Sequence, residues 1–266
     1  MSVSGRTGAF LVQFASSLSA LRRVPVLGNI LRWTSRRLVP PGALVWVKIQ
    51  AGAGAGLWIR VNPRTGKVVQ QGLGEQAVQR ALQQHVQPGM TFYDVGANIG
   101  FFSLIAARLV GPSGRVFSFE PDPENVARLK DNFAHNNFDW TAAEEKAVWS
   151  EATTVSFERV DSSTSPDRGL GHVAREPSKS DNMISVQAIS LDDYTSSRAE
   201  PDFLKCDVEG AEVAVFEGAA NLLRRKRAIL LVEMHSPENQ QLLTEKFRRL
   251  GYTVTNLDEN HVLCLP

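Results

Sequence analysis

The chain has 266 residues, of which 43% are hydrophobic and 21% charged, and a formal net charge of +1, the make-up of a globular protein with one substantial core and room for an appendage. It contains no apolar run long enough to span a bilayer, and its two cysteines, Cys206 and Cys264, lie too far apart for a C-x-x-C zinc site and are too few for a disulfide framework, so a reducing, cytosolic compartment is expected. The charge is unevenly spread: no acidic residue precedes Glu75 while ten basic ones do, which leaves a net acidic body that argues against binding long nucleic acid.

Residues 1–41 read as a basic helical arm, with Phe10, Phe14, Leu18 and Leu21 at helical spacing and Pro40-Pro41 ending it. Three readings stay open: a helix lying on anionic lipid as a peripheral membrane contact, a transit peptide, or a helix packed on the body. Residues 42–89 read as a small β/helical cap. "ALVWVKIQ", "GLWIRVNP" and "KVVQQ" form a small antiparallel set, and "GEQAVQRALQQHVQPG" forms a helix with Val78, Ala81, Leu82 and Val86 inward.

From residue 90 to the C-terminus the period is regular. Strand "TFYDV" is followed by helix "IGFFSLIAARLV", strand "RVFSFE", helix "PENVARLKDNFAHNN" and strand "TAAEEKAVW". An insert at about 152–189 follows, read as a strand pair with a long polar loop. Then come strand "PDFLKCDV", helix "GAEVAVFEGAANLLRRK", strand "AILLVEM", helix "PENQQLLTEKFRRLG" and the strands "YTVTNL" and "HVLCLP". This alternation predicts an α/β fold: a Rossmann-like, seven-stranded, mostly parallel sheet with helices on both faces and an antiparallel C-terminal edge hairpin.

Ligands of such sheets bind at the carboxyl ends of the strands. "DVGANIG" sits there, but its spacing is not the G-x-G-x-x-G of dinucleotide sites, and Asp94 beside a helix N-terminus would repel a diphosphate. A cationic ligand reverses that argument. Glu120, ending the next strand, is placed to accept hydrogen bonds from both hydroxyls of a ribose. The two acids at neighbouring strand ends point to S-adenosylmethionine, and a nicotinamide-dependent oxidoreductase or a non-catalytic binding module remain the alternatives.

A second polar group follows the later strands: Lys205, Asp207, Glu209 and Glu212, then Glu233 and His235. His235 has the intrinsic pKa of a general base, with Asp207 to orient it, position substrate or bind the donor's ammonium. Asp207, Glu233 and His235 equally suit a divalent metal ion. A third reading makes Lys205 with Glu209 or Glu212 a buried ion-pair network that orders the loop.

The stretches "FYDVGANIGFFSL", "VFSFEPDPENVARLKDN", "ISLDDY", "DFLKCDVEGAE" and "LLVEMH" together resemble the FkbM family of class I S-adenosylmethionine-dependent methyltransferases, over roughly residues 72–252. The resemblance implies that Asp94, Gly96, Asn98 and Gly100 line the methionine and ribose side, that Glu120 holds the ribose, and that Ala147 and Val148 lie near the adenine. It also matches Glu75 to a family Gly-x-x-Glu feature that caps its helix or reaches the cofactor's amino group. The implied reaction is O-methylation of a hydroxyl on a small molecule, sugar, glycan or lipid. No Pro-Cys nucleophile for ring-carbon methylation and no D/N-P-P-[YF] loop for base amines is present.

Overall fold

The computed structural model describes residues 40, 42–159, 171–173 and 182–266. The basic arm, with the helix expected in it, lies outside the described residues but for residue 40, as does most of the polar stretch from 161 to 180.

The described chain opens with an antiparallel pair, β1 (Val45–Lys48) and β2 (Trp58–Val61). "KVVQQ", expected as a third strand, is instead a short helix, α1 (Lys67–Gln71). The turn at Asn62–Gly66 already sets helical geometry, since Gln70 N–H bonds the Gly66 carbonyl, and Gly72 at φ 68° closes the turn. Helix α2 (Gln76–His85) follows, stopped ahead of Pro88-Gly89.

The central sheet begins with β3 (Thr91–Val95) and continues through α3 (Phe101–Val110), β4 (Arg115–Phe119), α4 (Pro123–His135) and β5 (Thr141–Glu144). Helix α4 starts where it should: Asp122 accepts from Glu124 N–H at 2.8 Å and Pro123 occupies the first turn. The expected long strand through Trp149 is broken. After Glu144 the chain turns at Glu145-Lys146, and β6 (Ala147–Val148) leaves the central sheet to pair with β9 (Met183–Ile189). β9 also pairs with β7 (Thr153–Glu158), which carries β8 (His172–Val173), so the insert builds its own four-stranded sheet.

After α5 (Leu191–Thr195), β10 (Phe203–Cys206) runs beside β3, and the expected single helix divides into α6 (Glu212–Glu217) and α7 (Ala220–Arg225). The division lies at Gly218, where a Cβ would run into the Trp149 carbonyl oxygen. Asp192 then caps the new helix, accepting from Asn221 and Leu222 N–H at 2.8 and 3.0 Å. β11 (Ile229–Glu233), α8 (Pro237–Arg249), β12 (Thr253–Asn256) and β13 (His261–Leu265) complete the chain.

The seven-stranded sheet has the order β12-β13-β11-β10-β3-β4-β5, parallel except for β13, which runs antiparallel to both neighbours. Period-two alternation divides its side chains between two apolar layers. Phe92 and Phe203, stacked at 5.3 Å, face α2, α3 and the β1–β2 pair, while Tyr93, Leu204 and Cys206 face the layer of α5 to α8. Helix α3 is buried around most of its circumference because the β1–β2 pair covers the side turned from the sheet. β3 and β10 therefore lie at the centre, with their carboxyl ends opening on one side.

Candidate active site

At that side lies a cleft of about 730 Å³. Gly96, Asn98, Glu120, Ala147, Val148, Asp207 and Glu75 line it, so most of the expected donor-binding residues share one wall. Gly96 has φ 82° and its Cα presses on the Asp207 carbonyl, where a side chain would collide, while Gly96 and Ala97 N–H both bond the Phe119 carbonyl at 3.0 Å. These contacts join the ends of β3, β4 and β10 into one floor.

Glu120 is 5% exposed. Its Oε2 accepts from Asn98 N–H at 2.8 Å and its Oε1 from Asp122 N–H at 3.0 Å. Asn125 Nδ2 also donates to Oε1, at 3.3 Å, so Oε2 keeps the free lone pair that suits a hydroxyl. Burial raises its pKa to about 7, against the N–H groups of Asp122 and Asn98, which favour the charged form.

Asp94 and Gly100 do not reach the cleft, which corrects the expectation that they line it. Gly100 turns the chain at φ 87°, and a Cβ there would strike Leu129. Asp94 is fully buried beneath the floor, where Ser103 Oγ donates to its Oδ2 at 2.5 Å and its Oδ1 makes no hydrogen bond. Lys205, 3% exposed, sets its Nζ 3.7 Å from that Oδ1 and 3.1 Å from Asp207 Oδ2. Burial lowers the Lys205 pKa, but Asp207, Asp94 and Glu75 outweigh it and hold the ammonium charged. Burial raises the pKa of Asp94. For Asp207 burial acts in the same sense, yet Lys205 prevails and keeps it below the usual carboxylate range. Sequence reasoning placed Lys205 in a loop-ordering network, and the structure makes it the bridge between the donor loop and the second cluster.

That second cluster assembles as expected at the ends of β10 and β11. His235 Nδ1 is 2.6 Å from Glu212 Oε1, and its Nε2 faces Glu209, Asp207 and Glu233 at 3.4, 3.7 and 3.9 Å. Burial would lower the His235 pKa, but Glu209, Glu212 and Asp207 raise it to about 10, so the ring tends to hold two protons rather than accept one at neutral pH. Asp207 and Glu209 line the cleft, whereas His235 and Glu233 stand behind them. His261, which no motif marked, joins the group: β13 pairs with β11 so that His261 lies opposite Glu233. Cys206 is buried on the opposite side of the sheet among α5–α8, its thiol pushed well up by burial.

The cleft fits S-adenosylmethionine. The buried Glu120 carboxylate lies at one end, and towards the other the carboxylates of Asp207, Glu75 and Glu209 outnumber the single Lys205 charge, which favours a sulfonium and an ammonium.

A protein-family model described as a methyltransferase FkbM domain matches residues 94–254, more than half of the chain. Hexuronic acid methyltransferase AglP of Haloferax volcanii is 30% identical over 197 residues, which cover 71% of this chain and 76% of that protein. Among solved structures, methyltransferase FkbM from Methylobacillus flagellatus aligns over 76% of this chain with 16% identity and a TM-score of 0.47, and the chain spans 58% of its length. A SAM-dependent O-methyltransferase from Thermotoga maritima aligns over 84% of this chain and 77% of its own, with 12% identity and a TM-score of 0.46. The chain belongs to the FkbM family of S-adenosylmethionine-dependent methyltransferases.

Proposed function

We propose that the protein methylates an oxygen of a sugar or glycan, with a uronic-acid unit as the favoured acceptor. The observation that carries this reading is the course of the cleft, which runs from Glu120 to Asp207 and Glu209 and ends on carboxylates rather than on a thiol. The similarity to a hexuronic acid methyltransferase supports the acceptor class.

S-adenosylmethionine supplies an electrophilic methyl on sulfur. Glu120 would hold the ribose, Ala147 and Val148 would bound the adenine, and Glu75 would meet the ammonium. Asp207 would accept the proton of the acceptor hydroxyl while the donor supplies its methyl group to that oxygen and leaves as S-adenosylhomocysteine. Asp207 takes this role because it lies on the cleft wall, with His235 and Glu233 positioning it from behind.

Incubating the protein with S-adenosylmethionine labelled with ¹³C in its methyl group and a panel of uronic-acid and neutral glycosides tests the proposal. Nuclear magnetic resonance should place the label on oxygen, and Asp207→Asn should lower kcat by roughly 10²–10³-fold. A label on nitrogen or carbon, or turnover unchanged in Asp207→Asn, refutes it. The basic arm is proposed to dock on an anionic surface. No described helix is long and apolar enough to cross a membrane. Deleting residues 1–41 should abolish co-sedimentation with anionic liposomes, and unchanged co-sedimentation refutes the docking.

A further inference from the structure

The histidines of the second cluster share one arrangement. His261 Nδ1 lies 2.8 Å from Asp258 Oδ1, and His235 Nδ1 lies 2.6 Å from the fully buried Glu212. Each ring is thereby oriented by a carboxylate on one nitrogen and presents the other, Nε2, to Glu233. This is how proteins hold imidazoles that ligate metals.

The spaces around the Nε2 atoms have the right size. His261 Nε2 faces Glu75 Oε2 at 3.4 Å and Glu233 Oε2 at 3.6 Å, and His235 Nε2 faces Glu209 Oε2 at 3.4 Å, Asp207 Oδ1 at 3.7 Å and Glu233 Oε1 at 3.9 Å. Hydrogen-bonded partners would close to about 3 Å. Ligands bound at about 2.1 Å to a common ion stand roughly 3–4 Å apart. In each triplet, Glu75–Glu233–His261 and Asp207–Glu233–His235, the donor atoms lie within 4.8 Å of one another. The side chain of His261 is only 7% exposed, and its Nε2 makes no hydrogen bond although it points between the carboxylates of Glu75 and Glu233. A buried polar atom of that kind calls for a partner.

We propose that this cluster is a binding site for two divalent first-row transition-metal ions, bridged by the two oxygens of Glu233, one ion held also by His261 and Glu75 and the other by His235 and Asp207. Imidazole with carboxylate selects manganese, iron, cobalt or zinc over magnesium and calcium. Glu75 and Asp207 also face the cleft, so bound ions would meet an oxygen-rich acceptor there and would take over from free Asp207 the activation of its hydroxyl. The inference does not depend on the proposed acceptor, because metal binding is read without methyl transfer.

The test uses the full chain freed of metal by chelation and titrated with Mn²⁺, with free Mn²⁺ followed by electron paramagnetic resonance. S-adenosylhomocysteine binding by calorimetry serves as the check that each variant is folded. About two equivalents should bind to the wild type, about one to His261→Gln and about one to His235→Gln, while Glu233→Gln should weaken both sites by roughly tenfold or more. Should Glu233→Gln fail to fold, Asp258→Asn on its exposed turn takes its place and should weaken the His261 site by roughly tenfold. Clearly fewer than two equivalents bound by the wild type, or binding unchanged in His261→Gln, or unchanged in Glu233→Gln or its replacement, overturns the proposal.

Discussion

Replacing Glu120 by Gln removes the charge from the carboxylate that already accepts from Asn98 and Asp122 N–H. An amide offers one accepting oxygen where the carboxylate offers two, so at least one charge-assisted bond to the ribose is lost. At about 1.5–3 kcal/mol for such a bond, the Kd for S-adenosylhomocysteine should rise roughly 10–100-fold. The wild type should also show a pH dependence that the variant lacks. Burial sets the Glu120 pKa at about 7, above its ordinary 4.5. A raised folded pKa means that the group's contribution to stability is fully present below the unfolded value and is lost as pH rises through about 7, a loss of about 3 kcal/mol at pH 8. Donor hydroxyls favour the charged form, so protonation competes with binding. The Kd should be about 5-fold weaker at pH 6 than at pH 7 and roughly 10-fold weaker than at pH 8. Isothermal titration calorimetry of both proteins across this range reads the effect. A wild-type Kd constant within twofold, or a Glu120→Gln variant that keeps the pH dependence, would refute the assignment of Glu120 to the ribose.

Lys205→Met leaves Asp94 and Asp207 without their shared cation and should cost about 3–5 kcal/mol by urea denaturation. Because Lys205 holds the Asp207 pKa low, the stability it confers is present above the ordinary carboxylate pKa and lost as pH falls through the depressed value. The gap between the two proteins should therefore narrow in acid, and a gap that widens there contradicts the pairing. Gly96→Ala forces a side chain into the Asp207 carbonyl at a positive φ and should lower Tm by roughly 5–15 °C in scanning calorimetry. A Tm within a degree or two of the wild type would show that the β3–β10 junction is not close-packed.

The alternation of parallel strands with helices was legible because each parallel strand reads as an apolar run ending on a polar residue, and the acids at the ends of β3 and β4 marked the donor side. Other features depended on contacts distant in sequence. Nothing in "KVVQQ" opposes a strand; the turn before it and Gly72 after it decide for a helix. Gly218 interrupts its helix because of Trp149, on a different element. Asp94 looked like a ligand-facing acid because it ends a strand beside a glycine turn. Its depth below the floor depends on Ser103 and Lys205, which come from two other elements. His261 carried no signal, since its place opposite Glu233 follows from an antiparallel register that only the folded sheet defines.

The outer edge of β2 is closed by two asparagines, one in α4 and one capping its C-terminus. Asn136 accepts from Trp58 N–H at 2.9 Å and donates to the Trp58 carbonyl at 2.7 Å, and Asn132 accepts from Arg60 N–H at 2.8 Å. They supply the hydrogen bonds that a further strand would make. Without them a two-stranded ribbon presents an unpaired edge, the geometry on which chains associate strand to strand. The pair thus guards against aggregation while leaving the ribbon only two strands wide. Asn132 also donates to the Ile99 carbonyl at 2.7 Å, so the protected edge is anchored to the loop that follows Asn98. A leucine at either position would leave backbone groups of β2 without partners beneath the helix.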